Sequence, residues 1–358
     1  MTTRATRSRV TEKVERICAD EPDARALRLR VLEALRDAVA FDAFVWLVTD
    51  PVTAVGSAPV ADVPCLPELP RLIRLKYLTP VNRWTALARR EDPVALLDRE
   101  TKGDRSRSLV WRELLRAYAI GDVASVALAD RHGCWGFLDL WRGETGARFD
   151  DDDARLLGEI APRLTRAIRE TQAHTFVAPA VTDRRALGPA VVLLDEDLTI
   201  TARTPATDTW LELLLPTPEG QAPVPASVYN VAARLLAAEQ HVDEGRATAR
   251  VHLVDGLWVT LRAARLDAPA LSTSSGIAVT IEEASPLDRL DIFTRAFAFT
   301  PREAELLGHL ARGADTREVA ERMFLSELTV QDYLKSIFAK TADHSRRGLV
   351  SRALGAQL

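Results

Sequence analysis

The sequence has few cysteines, no long apolar run and little net charge. Its three cysteines, Cys18, Cys65 and Cys134, are odd in number and far apart, so they predict neither a disulfide framework nor a metal site. The N-terminal segment is basic and polar with no apolar core behind it, which argues against a secretory signal or a lipid anchor. The most apolar early run, residues 41–48, is far shorter than the roughly 20 residues that a membrane helix needs. These absences predict a reduced, cytoplasmic protein.

Chain length and charge set the next limits. The 358 residues exceed what one hydrophobic core usually organises, so we expect two or three domains. With 47% hydrophobic and 27% charged residues, the composition is that of a globular protein rather than a disordered or fibrous one. The balance of 47 Lys and Arg against 51 Asp and Glu leaves a net charge of -4. Any nucleic-acid-binding surface must therefore be local.

Motifs of catalysis and of cofactor binding are also missing. The sequence has no phosphate-binding glycine loop, no nucleophile elbow and no HExxH pair, so we do not predict an enzyme. Its histidines, among them His132, His174, His241 and His252, form no cluster with ligand spacing, and we predict neither a metal nor a cofactor. Cys134 could attach a bilin, but its place inside a predicted strand favours a buried structural thiol.

An amphipathic helix followed by strands begins the first predicted domain. Apolar residues recur at steps of three and four through residues 24–41 and run into a strand, after which we expect a loop. Residues 121–142 alternate apolar side chains around a polar turn, which predicts an antiparallel hairpin. Residues 153–172 carry a helical apolar stripe behind a run of aspartates that suits the positive end of a helix dipole. We therefore expect a domain over 24–173, after an N-terminal extension of residues 1–23.

A second domain is predicted after a linker. Residues 174–187 lose all periodicity, which is typical of a linker. Residues 188–284 then predict strand, turn, strand, helix and three more strands, a small mixed sheet with few helices. Asp195 could imitate the phospho-acceptor of a receiver domain, but the strand that follows it favours a hairpin. Four helical segments are predicted over 287–358, so we expect an α+β multidomain chain that ends in an all-α domain.

Three helix starts are marked in the C-terminal region. The segment Thr300–Glu303 has the residues of a capping box with proline in the first helical position, and Asp315–Glu318 has those of a second box. Ser326 is a third N-cap. Gly313 lies where a left-handed residue would end the first of these helices.

The helix after Ser326 has two different faces. Val330, Leu334, Ile337 and Phe338 share one face by the 3.6-residue period, and we expect that face to be buried. The opposite face presents mainly small and polar residues, with Gln331 and Tyr333 on its flanks: Leu328, Asp332, Lys335, Ser336 and Ala339. A short helix, a tight turn and a second helix with such an outer face form the helix-turn-helix arrangement, whose second helix enters the major groove.

Residues 299–350 resemble the LuxR-type (GerE-type) helix-turn-helix of bacterial transcription regulators. The family pattern falls on Thr300–Glu303, Gly313, Glu318–Ala320, Ser326, Thr329–Val330, Lys340 and Ser345–Arg346. The resemblance implies that double-stranded DNA is the partner of this region. It also implies a set of DNA-binding residues, with the first three facing the groove and the others nearer the phosphates: Gln331, Asp332, Lys335, Thr329, Ser336 and Lys340.

The chemistry of the three groove-facing residues fits base recognition. Gln331 can bond adenine twice, Asp332 can accept from the cytosine amino group, and Lys335 can donate to guanine or to phosphate. An ordinary solvated helix face is the alternative, but the ordered caps and the family pattern favour DNA. Because affinity comes largely from phosphate neutralisation and cations here are few, we expect a homodimer, with the stripe of 153–172 as its pairing surface.

Two further resemblances concern the first 285 residues. Residues 24–173 are similar to a GAF domain, most clearly over 136–168, and residues 188–284 look PAS-like in the order of their elements. Both families sense small molecules or partners, so the resemblance implies control of the C-terminal domain by an unknown small-molecule effector. Two other functions remain open: a signalling scaffold whose C-terminal helices dock a protein, and an enzyme with a motif-free active site.

Overall fold

The computed structural model describes residues 4–176, 188–214, 225–253, 256–266 and 276–355. In these residues the chain forms two five-stranded sheets, each with helices packed on it, and a C-terminal block of helices. The predicted α+β class with an all-α C-terminal part is confirmed. Within the same residues, no helix is both long and apolar enough to cross a membrane.

The first sheet has the spatial strand order β2-β1-β5-β4-β3, and all its pairs are antiparallel. Its strands are β1 Ala43–Thr49, β2 Gly56–Asp62, β3 Val94–Leu96, β4 Ile120–Asp130 and β5 Gly133–Gly143. The predicted hairpin is confirmed as β4 and β5. Gly133 closes its turn with a φ of 143°, and a Cβ there would lie 2.4 Å from the carbonyl oxygen of Pro51. A side chain therefore does not fit at this turn.

Helices pack on both faces of this sheet. They are α1 Arg4–Asp20, α2 Ala24–Leu35, α3 Leu69–Leu78, α4 Trp84–Leu87, α5 Leu97–Thr101, α6 Leu109–Glu113 and α7 Asp151–His174. The predicted N-terminal extension is mostly the helix α1, whose Val10 and Val14 are buried. The predicted loop between β1 and β4 instead holds β2, β3 and α3 to α6. Seven prolines break the apolar pattern there into pieces too short to show a period: Pro51, Pro59, Pro64, Pro67, Pro70, Pro80 and Pro93.

Helix α7 is the long helix expected over residues 153–172. Asp150 and Asp153 close a capping box at its start. Its apolar stripe, with Leu156, Ile160 and Leu164, is buried inside this chain, where α7 packs against α1 and β4. The expectation that the stripe pairs with a second copy is therefore wrong. The helical period identified a buried face correctly, but a period carries no information about what covers that face.

The second sheet has the order β7-β6-β10-β9-β8. Its elements are β6 Ala190–Leu194, β7 Ile200–Arg203, α8 Thr207–Leu214, α9 Ala226–Glu239, β8 Thr248–His252, β9 Trp258–Arg265 and β10 Ile277–Glu283. Every pair is antiparallel, so the expected mixed sheet is wrong: neighbouring strands are joined mainly as hairpins. The Asp195 carboxylate accepts from the N–H groups of Asp197 and Thr199 in the β6–β7 turn, which confirms that hairpin.

The two sheet units are packed into one another. Helix α9 lies on α3 and β2 of the first unit, and Val55, Ile73 and Tyr77 of the first unit belong to the core of the second. Buried Asp243 accepts hydrogen bonds from Arg234 of its own unit and from Thr85 of the first. The two predicted domains therefore share a core rather than being joined only by a linker.

The C-terminal block contains five described helices rather than the four expected: α10 Pro286–Ala296, α11 Pro301–Ala311, α12 Thr316–Met323, α13 Glu327–Thr341 and α14 Arg346–Leu354. Helix α10 packs on α14 and on α7. Its Phe293 contacts Phe176, which stacks on Trp258 of β9. Phe176 falls in the predicted linker, whose residues 177–187 lie outside the described residues. One aromatic cluster thus joins all three parts of the chain.

Candidate nucleic-acid interface

The helix starts of the C-terminal block are those that the local sequence predicts. Thr300 and Glu303 close a capping box at α11, and Asp315 and Glu318 close one at α12. The Ser326 hydroxyl accepts from the N–H of Thr329 at the start of α13. Because each cap satisfies otherwise unpaired N–H groups of its helix, the three helix starts are well defined.

The turn between α12 and α13 is short. Phe324 ends α12 in the left-handed conformation, with a φ of 56°, and the N–H of Leu325 donates to the carbonyl of Ala320. Gly313 is likewise left-handed after α11, with a φ of 87°, as expected. The two turns orient α12 and α13 as a helix-turn-helix.

Helix α13 buries one face and exposes the other. Val330, Leu334 and Ile337 are buried, as predicted, and face α11 and α12. Gln331, Asp332 and Lys335 are exposed. The Lys335 Nζ lies 3.1 Å from an Asp332 carboxylate oxygen, in a solvent-exposed pair that contributes little to stability. Both charged groups therefore remain available to a ligand.

The other three predicted residues lie differently. Thr329 is half-buried, with its hydroxyl 2.9 Å from that of Ser326. The Ser336 hydroxyl and the Lys340 ammonium each lie 2.6 Å from a carboxylate oxygen of Glu303. In this structure Ser336 and Lys340 therefore fasten α13 to the start of α11 rather than facing outward with Lys335.

Glu303 is the buried group that organises this contact. Burial acts to raise the pKa of its carboxyl, but hydrogen bonds from Lys340, Ser336 and the Thr300 N–H outweigh it and hold the pKa below its ordinary value. The sequence identified Glu303 only as a capping residue. Its second role depends on tertiary contact with residues more than thirty positions away, which no local pattern indicates.

Two large apolar side chains on the outer surface were given no role in DNA binding from the sequence. Leu328 is 71% exposed and Phe324 is 95% exposed. Leu328 precedes Gln331, Asp332 and Lys335 by three, four and seven positions, so all four share one face of α13. In the sequence, a leucine among the polar residues of the outer face was the signal that could have identified Leu328 as a contact residue. We call these four residues the outer strip.

The cations expected around α13 are mostly engaged within the domain. The Arg346 guanidinium donates to the hydroxyl of Thr316, and Arg352 pairs with Asp343 at 3.2 Å. Lys340 pairs with Glu303. Arg347 and Lys335 are exposed. The surface around the outer strip is therefore only mildly basic, as its composition indicated.

Cys134, the residue weighed for a bilin, is buried in β5. Desolvation is the main cause that raises the pKa of its thiol to about 12. Since the thiolate is the nucleophilic form, this thiol is poorly reactive at neutral pH. Among the described residues, no three His, Cys, Asp or Glu side chains converge to hold a metal ion.

Comparisons with known proteins bear mainly on this C-terminal part. Residues 298–353 match the family model of bacterial regulatory proteins, luxR family. The probable HTH-type transcriptional regulator GfsR of Streptomyces halstedii is 34% identical over 86 residues, which are 24% of this chain and 35% of GfsR. The chain thus spans about a third of the length of that curated relative.

Two solved structures are similar over longer stretches. Escherichia coli SdiA aligns with 95% of this chain and 94% of its own, at 13% identity and a TM-score of 0.34. The Vibrio cholerae LuxR-type receptor VqmA, a dimer without its target DNA, aligns with 47% of this chain and 83% of its own, at 19% identity and a TM-score of 0.19.

The residues that match the family model are those that form the helix-turn-helix. The matched residues contain both capping boxes, the turn at Phe324 and the whole of α13. Residues 298–353 are therefore a helix-turn-helix domain of the luxR family of bacterial regulatory proteins.

Proposed function

We propose that this chain is a sequence-specific, DNA-binding transcriptional regulator rather than an enzyme, and that α13 reads the major groove. The observation that carries the proposal is the outer strip, which is exposed on a helix whose opposite face is the core of a luxR-family domain. The recognition helix of such a domain enters the major groove with the N-terminal part of its outer face toward the base edges.

Each residue of the strip has a chemical role in this proposal. Gln331 bonds the edge of adenine, Asp332 accepts from the cytosine amino group and Lys335 donates to guanine or to a phosphate. Leu328 packs on a thymine methyl group, which is the apolar feature of the major groove. Thr329, Ser336 and Lys340 contact phosphates in this proposal, which requires the last two to share their hydrogen bonds with Glu303.

The rest of the chain controls this domain in the same proposal. We assign a GAF-like sensory domain to residues 24–173, a PAS-like domain to 188–284 and the DNA-binding domain to 287–358. A small-molecule effector acts through the first two. We also propose a cytoplasmic homodimer on symmetric half-sites, because few cations near α13 are unpaired and a second copy doubles the number of phosphate contacts.

Selection of bound sequences from randomised duplexes by the purified chain tests the proposal. We expect one enriched motif with two related halves. On that duplex, Lys335→Ala weakens binding by about 1–3 kcal/mol in fluorescence anisotropy. Asp332→Ala strengthens binding to scrambled duplexes, because it removes a carboxylate near the phosphates, and relaxes the preference at one base pair. Lys13→Ala is the matched control, since Lys13 is also an exposed lysine paired with an aspartate.

Several outcomes contradict the proposal. No enriched motif, or unchanged binding by both α13 variants with their helical circular dichroism intact, excludes α13 as the reading helix. If the chain instead retains a protein partner through α11 to α14 and no DNA, the scaffold is the better function. Light scattering that gives a monomer at micromolar concentration, with one chain per duplex, contradicts the dimer alone.

A further inference from the structure

A cleft of about 570 Å³ lies between the two sheet units. The first unit contributes the start of α2, parts of β1 and β2 and the end of α7, and the second unit contributes the end of α8 and strand β8. Its apolar lining includes Val48, Pro59, Leu214 and Val251. A cleft of this size at a junction of domains is large enough for a small molecule.

Positive charge dominates the polar lining of the cleft. Three arginines line it, Arg25, Arg28 and Arg250, whereas Asp23 is the single carboxylate among its described lining residues. One oxygen of Asp23 is already used at the α2 N-terminus, where it accepts from the N–H groups of Arg25 and Ala26. Arg250 is paired with two aspartates that do not line the cleft, so Arg25 and Arg28 supply its unbalanced charge.

Arg28 is the central residue, because it is buried and none of the described acidic residues forms an ion pair with it. It is 3% exposed, and its Nε and Nη1 donate to the carbonyls of Ala24, Trp46 and Ala58 at 2.7–2.9 Å. No described carboxylate lies within 4.0 Å of it. Its Nη2 donates to no described residue.

The electrostatic surroundings of the Arg28 guanidinium favour an anion beside it. Desolvation, followed by repulsion from Arg25, lowers the pKa of its guanidinium to about 9, and Asp23 opposes this only in part. A buried charge without a counter-ion is costly, so an anion that enters the cleft gains a strong partner. Arginine is also the side chain best suited to bond a carboxylate through its N–H groups.

We propose that this cleft binds a small organic anion with a carboxylate head and an apolar body, the head on Arg28 and Arg25 and the body along the apolar lining. This proposal names the chemical class of the effector. Its regulatory role rests on the proposed function as a transcriptional regulator. Arg250 gives the cleft a route to the DNA-binding part, since its guanidinium also holds Asp291 of α10 at 2.7 Å.

Binding of 8-anilinonaphthalene-1-sulfonate to the full chain, without DNA, tests the proposal. This fluorescent probe has an anionic head and an apolar body. We expect one saturable site per chain, displaced by octanoate but not by the neutral octanamide or by inorganic phosphate alone. Arg25→Ala and Arg28→Gln weaken binding by about fivefold or more, because each removes a charged partner of the head. Arg30→Ala, an exposed arginine of α2 outside the cleft, leaves it unchanged.

The opposite results overturn the proposal. Equal displacement by octanoate and octanamide, or unchanged affinity in Arg25→Ala, means an apolar surface without an anion site. Displacement by phosphate alone means a site that does not need the apolar body. Arg28→Gln could lower the melting temperature strongly, because Arg28 loses its contacts with backbone carbonyls. In that case the affinity of Arg25→Ala is the test of the anion site, since the Arg25 side chain is exposed and its loss should not unfold the chain. The binding assay contains no DNA, so its result stays valid even if the DNA-binding proposal fails.

Discussion

Glu303 is the residue on which the position of the recognition helix depends most directly. Its carboxylate accepts from the Thr300 N–H, the Ser336 hydroxyl and the Lys340 ammonium, all at 2.6 Å. A buried carboxylate is stable only when its lone pairs are satisfied in this way. One side chain therefore caps α11 and fixes the angle at which α13 is presented.

The stability contributed by Glu303 is expected to depend on pH. Because its folded-state pKa is depressed, the contribution is complete above the unfolded pKa of about 4.3 and is lost as the pH falls through the folded value. Glu303→Gln thus costs about 1–3 kcal/mol at pH 7, and the cost shrinks as the pH falls below about 4.3. Thermal melts of both proteins from neutral to acidic pH measure the difference in stability. Glu305→Gln, in an exposed pair, is the control, and a difference that does not shrink as the pH falls contradicts the assignment.

Leu328 is expected to add specificity at a thymine. Replacing the contacted thymine by deoxyuracil removes the methyl group and weakens wild-type binding by about 1 kcal/mol. In Leu328→Ser the same replacement costs nothing further, because the contact is already lost. Anisotropy titrations of the selected duplex, with each thymine replaced in turn, give both values. Equal costs in the two proteins at every thymine show that Leu328 does not contact a methyl group.

At the scale of single helices, α11 carries a glycine that its packing does not require. A Cβ on Gly308 would meet only the Arg312 guanidinium, at 3.9 Å, so Gly308→Ala stabilises the chain by about 0.5–1 kcal/mol. Gly313→Ala has the opposite sign and costs about 1 kcal/mol, because this residue has a φ of 87°. Melting temperatures of the two variants should move in opposite directions. A lower melting temperature for Gly308→Ala contradicts this reading of α11.

The elements that the sequence predicted well are those whose ends are set locally. The caps of α11, α12 and α13 involve residues three positions apart, and the β4–β5 hairpin is set by its own alternation and turn. Strands β2 and β3 and helices α3 to α6 are short, and the prolines within and between them interrupt the apolar pattern, so they show no period. Their structure depends on the sheet and on α9, which lie far away in the sequence.

The candidate interface was predictable to a similar extent. Helical phase identified the outer positions of α13, and the structure exposes Gln331, Asp332 and Lys335 there. The same phase could not reveal that Ser336 and Lys340 are turned toward Glu303, because that contact joins two helices. The cleft proposed to bind an anion was beyond prediction for the same reason, since its lining comes from both sheet units.

At the scale of the whole molecule, α10 connects the two sheet units to the helix-turn-helix domain. Phe293 contacts Phe176, and the Arg169 guanidinium of α7 donates to the carbonyl of Ala296 at the end of α10. Arg295 donates to the carbonyl of His132 in the β4–β5 turn. These direct contacts join α10 to the first sheet unit, so we expect a displacement of that unit to act on α10 directly.

Arg250 is the strongest of these connections. It is a residue of β8 whose side chain is 9% exposed, and it pairs with fully buried Asp50 of the first unit and with Asp291 of α10, each at 2.7 Å. Arg250→Ala leaves Asp50 buried without its partner, so we expect a fall in melting temperature on the order of 10 °C. Hydrogen exchange in α10 should become faster as well, because α10 loses a contact with both sheet units.

Two comparison variants make this prediction specific. Asp291→Ala removes the α10 carboxylate that pairs with Arg250 and with Arg295 but leaves the Arg250–Asp50 pair in place, so it should accelerate exchange in α10 with a much smaller change in melting temperature. Arg262→Ala removes an exposed pair between β9 and Asp288 of the same helix, and exposed pairs contribute little. If amide hydrogen exchange in α10 rises equally in Arg262→Ala and Asp291→Ala, the loss of any charged side chain that contacts this helix loosens it. Exchange that rises only when the Arg250 contact is broken identifies Arg250 as the residue that couples both sheet units to the DNA-binding domain.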